Sequence, residues 1–175
     1  VSYKGLNDNY INEIPSINLI KPHGSVNWKQ ENEKILVNNN VEDDCVVVKP
    51  TGIEGQETFL NNYFHDMLRM FQLELDKPQS VLFVIGFSFQ DKHIAKMFKR
   101  ALQNCELLAY IFCFSDKDIE TILKNLDLED GINNLRILSP KDFDNSILEE
   151  NKDKDDDKKI WYSFTINSLT NIFEG

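Results

Sequence analysis

His23 is the residue best placed to do chemistry. It sits in Lys21-Pro22-His23-Gly24-Ser25-Val26-Asn27-Trp28, directly after the apolar run Ile17-Asn18-Leu19-Ile20. That run reads as a strand, Ile17–Lys21, so His23 falls at a strand's carboxyl end, where open α/β sheets bind ligands. Gly24 lets another backbone or a ligand come close, and Ser25 and Asn27 add polar atoms beside it. A histidine there can act as a general base near neutral pH, while its plainer role is to bond a loop carbonyl.

A second loop, Gly86-Phe87-Ser88, follows another apolar run and should reach the same edge. Ser88 has the spacing to Asp91 of a capping box, with Asp in place of Glu. A helix N-terminus of this kind presents N–H groups and positive potential, a combination that binds phosphate. Asp91 could also accept a hydroxyl, but its first role is to support the cap. His93 lies inside the following helix, and His65 decorates an earlier one. The sequence has no G-x-G-x-x-G, Walker loop or H-E-x-x-H spacing, and no Ser-His-Asp or Cys-His pair can be proposed.

The elements that must position these residues follow from apolar patterning. Residues 1 to 15 read as an irregular lead-in. Ile35–Val37 and the turn signal Asn38-Asn39-Asn40 suggest a hairpin after Trp28, and Cys45–Val48 reads as a strand. Phe59, Leu60, Phe64, Met67, Leu68, Phe71 and Leu75 recur at helical spacing, which predicts a helix over Glu57–Leu75 with a core-facing stripe. Val81–Ile85 is a continuous apolar run of the kind that suits a strand buried on both faces. A helix over Gln90–Gln103, a strand over Leu107–Phe114, a Ser115-capped helix over Asp116–Leu126 and a strand over Leu135–Leu138 come next. Ser139-Pro140 should open another helix, with Pro at its favoured first position. This alternation predicts a Rossmann-like, three-layer α/β fold: a mostly parallel sheet with helices on both faces. Asn151–Lys159 is an acidic and lysine-rich run expected to be solvated and mobile. Ile160–Ile166 is strand-like, and Ser168–Phe173 suggests a last helical turn.

Bulk properties narrow the partners. The 175 residues suit one domain, and the twelve phenylalanines supply much of the core volume. A formal net charge of -10 argues against broad nucleic-acid binding, though not against a compact anionic ligand. The three cysteines, Cys45, Cys105 and Cys113, form no C-x-x-C, and Cys113 reads as a core residue. No apolar run approaches a membrane span and no signal peptide is visible, so a reducing cytoplasmic setting is expected.

Two segments together resemble a known family. Ile20–Trp28 resembles the HGS-x-x-W segment of SIR2-like domains, and Val84–Ile94 resembles their G-[YF]-S-F-x-D-x-H-I segment, in matching order and separation. The branch resembled is the bacterial type found in anti-phage defence proteins. The resemblance implies a Rossmann-like fold that binds NAD as substrate, with His23 as the catalytic histidine. It implies NAD contacts at Gly24, Ser25, Gly86, Phe87, Ser88 and Asp91, and an adenosine-ribose contact at Phe114-Ser115.

Departures from the family shape the functional expectation. Protein deacetylases carry a four-cysteine zinc module after the histidine segment, whereas residues 29 to 56 hold only Cys45. No zinc is expected, and water should replace the acyl-lysine peptide as acceptor, giving NAD hydrolysis to ADP-ribose and nicotinamide. The family's Gly-rich phosphate loop and catalytic Asn lie upstream of the histidine, and nothing before Ser16 matches them. The resemblance spans residues 16 to 145, so the chain should be the C-terminal portion of a SIR2-like domain, active only with its upstream half. Expected partners are NAD, that half, further copies of the chain, and effector or sensor subunits. The alternatives are a non-catalytic module that binds NAD or ADP-ribose or joins subunits, and a protein deacylase.

Overall fold

A computed structural model describes residues 2–3, 17–32, 34–48, 62–128, 132–152 and 160–174. Its contacts separate two units, Val1–Glu74 and Leu75–Gly175.

In the first unit, β1 (Ser2–Tyr3) pairs in parallel with β2 (Asn18–Leu19). The expected strand Ile17–Lys21 is thus shorter, because Pro22 and Gly24 turn the chain: the Gly24 N–H donates to the Lys21 carbonyl at 3.0 Å. His23 lies inside this turn rather than directly on a strand end. The histidine segment then runs on as β3 (Gly24–Glu31), where a loop was expected. β3 is the centre of an antiparallel sheet, flanked by β4 (Lys34–Val37) and β5 (Cys45–Val47). The hairpin after Trp28 is therefore real, with Trp28 opposite Val37. Of the expected helix Glu57–Leu75, the described part is α1 (Asn62–Leu75); residues 57–61 lie outside the described residues. Trp28, Val48, Phe64, Met67 and Leu68 are buried.

The second unit is built on a parallel sheet of β6 (Ser80–Ile85), β7 (Leu107–Phe112) and β8 (Leu135–Leu138), in that spatial order. Helices α2 (Lys92–Ala101) and α3 (Asp118–Leu126) connect the strands. Side chains alternate along β7. Ala109 and Ile111 face a core formed with Phe98 of α2, Ile122 and Leu126 of α3, and Phe89. Each large apolar side chain buried this way contributes about 1.5–3 kcal/mol. On the other face Phe112 stacks on Phe164 at 4.6 Å, and Phe83 meets Phe173 edge-on at 6.1 Å. Phe173 belongs to α4 (Ile166–Glu174), so helices lie on both faces of the sheet, as the Rossmann-like expectation requires.

Three departures have physical causes. β6 pairs only with β7 among the described residues, and Val81 and Phe83 are 55% and 45% exposed. An apolar run marks a strand but not its place in the sheet, and here it does not bury both faces. The expected helix after Ser139 is a single 3-10 turn, Pro140–Asp142. Its start signals are genuine, but the Asp144 carboxylate then accepts from the Ser146 N–H at 2.9 Å and closes a competing turn. β10 (Ile160–Ser163) was expected; its antiparallel partner β9 (Glu149–Lys152) was not, because Glu149-Glu150-Asn151-Lys152 carries no apolar residue. Residues 153–159 of the charged run lie outside the described residues.

Candidate functional site

His23 is fixed through its backbone. Its carbonyl accepts from the Val48 N–H at 2.9 Å, tying the turn to the end of β5. Gly24 follows at φ +78°, a conformation that side chains rarely adopt, and an added Cβ would sit 2.1 Å from the Val46 carbonyl oxygen and 3.0 Å from the Phe64 ring. The glycine is required because β5 and α1 both press against it. What comes close to Gly24 is this chain's own backbone.

Ser25 and Asn27 are engaged in a chain of hydrogen bonds. The Lys21 ammonium donates to Ser25 Oγ at 2.8 Å, and Ser25 Oγ donates to Asn27 Oδ1 at 2.7 Å. Asn27 Nδ2 donates to the Asn38 carbonyl at 2.7 Å, and Asn38 Nδ2 donates to Glu42 Oε1 at 2.6 Å. Lys21 Nζ also lies 5.8 Å from the centre of the Trp28 ring. These bonds brace the β3–β4 hairpin and hold the base of the His23 turn.

In the second unit the parallel register places the loops after β6, β7 and β8 at one edge of one sheet. Gly86–Asp91 and Phe114–Ser115 therefore share an edge. Gly86 adopts φ +67° with nothing among the described residues within 4 Å of an added Cβ, so conformation alone demands glycine there. Phe89 also has positive φ, 59°, yet is 2% exposed, with its ring 4.8 Å from that of Phe98. A buried aromatic ring thus holds the loop in a backbone conformation that costs energy, a pattern common at ligand sites. Phe87 and Ser88 are left exposed, and the Ser88 carbonyl accepts from Asn125 Nδ2 at 2.8 Å.

Ser88 does not cap the helix. Asp91 is the N-cap of α2, its Oδ1 accepting from the N–H groups of His93 at 2.8 Å and Ile94 at 3.2 Å. The helix starts at Lys92 rather than Gln90, because a carboxylate one residue before the first turn outcompetes a more distant hydroxyl. Two N–H groups that the sequence suggested for phosphate are taken by this carboxylate.

Ser115 likewise ends up in a reciprocal link. Its N–H and Oγ lie 2.8 and 3.0 Å from Asp118 Oδ2, while Lys117 is the N-cap of α3 with no side-chain bond. The helix begins at Asp118, two residues later than expected. After β8, Ser139 and Asp142 repeat the arrangement, with 2.8 Å from the Ser139 N–H to Asp142 Oδ2. Between these loops lies Cys113, 1% exposed. Its thiol is pushed up to about 11, first by burial and then by the charges of Asp118, Asp142 and Asp116. It is a core residue.

The same edge holds a cleft of about 680 Å³. Ser115, Asp116 and Lys117 form one side, with Lys141, Phe143 and Trp161 among the residues of the other. Apart from Ser115, none of these stood out in the sequence. The signal was there in part: Ser139-Pro140 follows a strand, so its loop had to reach the edge that Ser115 occupies. Trp161 carried no such signal, since its partner strand β9 has no apolar residue. Among the described residues no group of three His, Cys, Asp or Glu side chains could hold a metal ion.

A family model described as a SIR2-like domain matches residues 2–129, and the chain belongs to that family. The match takes in residues before Ser16, where the resemblance begins, and stops short of β8. SIR2-like domains bind NAD, and the family includes NAD-dependent enzymes. No curated protein matches the chain.

Proposed function

We propose that this SIR2-like chain belongs to an NAD glycohydrolase of the anti-phage defence type, which splits NAD into ADP-ribose and nicotinamide. The family match over residues 2–129 carries the reading. His23 is the general base that handles the ribose hydroxyl or the attacking water, and the turn that fixes it between β2 and β5 supports the role. Gly86, Phe87 and Ser88 offer the open loop face to the dinucleotide, and Phe114 and Ser115 its adenosine end. The single cysteine between residues 29 and 56 favours water over an acyl-lysine peptide as acceptor. Among the described residues β6 pairs only with β7, which leaves its other edge to a further strand and supports activity in a protein that also carries a Gly-rich loop.

The experiment is nicotinamide release from NAD, followed by chromatography, with the full-length protein and its His23→Ala variant. Release by the parent, and loss of it in a variant that stays folded, is the expected result. Turnover that survives His23→Ala removes His23 from the mechanism, and a parent that binds NAD without releasing nicotinamide makes this a sensor.

A further inference from the structure

The cleft at the carboxyl ends of β7 and β8 has two walls of different origin. Ser115, Asp116 and Lys117 lie within the family match, whereas Lys141, Phe143, Asn145, Leu148, Trp161 and Tyr162 lie beyond residue 129. A segment outside the matched domain therefore completes a pocket at the domain's ligand edge. Its volume, about 680 Å³, is that of a small-molecule site. The two walls are tied together where the Lys141 N–H donates to Asp116 Oδ1 at 3.3 Å.

The lining chemistry limits the ligand. Trp161 is 38% exposed while lining the cleft, and its ring meets that of Phe114 edge-on, centres 5.8 Å apart. An indole held by its neighbour and open to solvent is a stacking surface for a planar heterocycle. Asp116 and Ser115 supply acceptors for hydroxyl groups, and Lys117 and Lys141 supply cations for a phosphate. A flat ring, hydroxyls and phosphate together describe a nucleotide.

We infer that Trp161, contributed by the β9–β10 hairpin, is a specificity-determining residue that stacks on the base of a purine nucleotide in this cleft. The inference rests on the proposed NAD reading, of which it names the base-reading residue. It assigns the wall to a segment that the SIR2-like match does not include.

The test is titration of the 175-residue chain with AMP, ADP-ribose and nicotinamide mononucleotide, read by calorimetry and by tryptophan fluorescence. Trp28 and Trp161 are the only tryptophans, and Trp28 is 1% exposed, so quenching by ligand reports Trp161. AMP and ADP-ribose should bind and quench, and nicotinamide mononucleotide should not quench. Trp161→Ala should weaken AMP about tenfold and Trp161→Phe should restore most of it, as expected for stacking on an aromatic face. Circular dichroism checks folding, and if Trp161→Ala does not fold, the Phe variant and the quenching decide. No AMP binding, binding without quenching, or equal affinity in a folded Trp161→Ala variant overturns the inference. The two readings fail separately. AMP held by Trp161 without nicotinamide release in the full-length protein sinks only the hydrolase, and NAD cleavage with an unchanged KM in Trp161→Ala sinks only the role of Trp161.

Discussion

Replacing Gly24 by alanine should be far more damaging than the same change at Gly86. Both residues have positive φ, +78° and +67°, so both alanine variants bear the backbone cost of about 1–2 kcal/mol. At Gly86 nothing among the described residues lies within 4 Å of the new Cβ, and the loss should stop there. At Gly24 the Cβ would stand 2.1 Å from a backbone oxygen, a separation that real side chains do not tolerate. Either β5 moves away, breaking the pairing of Gly24 with Val47 and the bond from Val48 to His23, or the turn reorganises. Overpacking of this kind adds roughly 1–3 kcal/mol, bringing Gly24→Ala to about 2–5 kcal/mol. Because the two glycines lie in different units, each loss should be read locally. Amide exchange at Val48 reports the first and exchange at Phe89 the second, beside urea unfolding of each variant. Equal losses at the two positions, or unchanged protection of Val48 in Gly24→Ala, would refute the steric account.

Other expectations concern caps, the buried thiol and the hairpin. Asp91→Ala should cost about 1 kcal/mol through loss of the α2 cap, with Asn restoring most of it, while Ser88→Ala should leave stability nearly unchanged in denaturant unfolding. Cys113 should resist alkylation at pH 8 in the native state, whereas the exposed Cys105 reacts. The raised Cys113 pKa makes the folded state hold a proton that the unfolded chain loses. Its contribution to stability is therefore full below pH 9 and is lost as pH rises through about 11. A stability profile that is flat in wild type and Cys113→Ala alike across that window would contradict this. Asn27→Asp keeps the acceptor for Ser25 but loses the donor to the Asn38 carbonyl, so it should destabilise the hairpin by about 1–3 kcal/mol in urea unfolding.

The alternating strands and helices of the second unit were legible because continuous apolar runs and 3.6-residue stripes both survive in the sequence. β8 was expected with the bounds found, and β7 lost only its last two residues. Helix starts were less legible. Ser88 and Ser115 both have capping spacing, yet the carboxylates of Asp91 and Asp118 decide the geometry, and spacing alone does not rank a hydroxyl against a carboxylate. His23-Gly24-Ser25-Val26-Asn27 lacks an apolar pattern, so nothing local announces a strand there. It is a strand because partners on both sides, β4 and β5, supply its hydrogen bonds. The role of Gly24 was half visible: glycine signalled close approach, but only the fold shows that Val46 and Phe64 are what approach. The cleft wall at Trp161 depended on pairing with a strand made of charged and amide residues, which no local pattern announces.

The hydrogen bonds from Lys21 to Glu42 all point one way. Each link donates in the same sense, so the chain runs from an ammonium to a carboxylate through Ser25, Asn27 and Asn38 without a reversal. Such a series has a polarity; the links through Ser25 and the Asn27 amide polarise one another, while at Asn38 the backbone carbonyl accepts and the separate side-chain amide donates. Substitution along it is thus governed by direction as much as by size or charge. A residue that can only accept stops the series where it stands, and one that can only donate loses the link before it. The segment that carries His23 is held by a sequence of oriented dipoles, and its tolerance for change should be read as grammar rather than as a set of separate contacts.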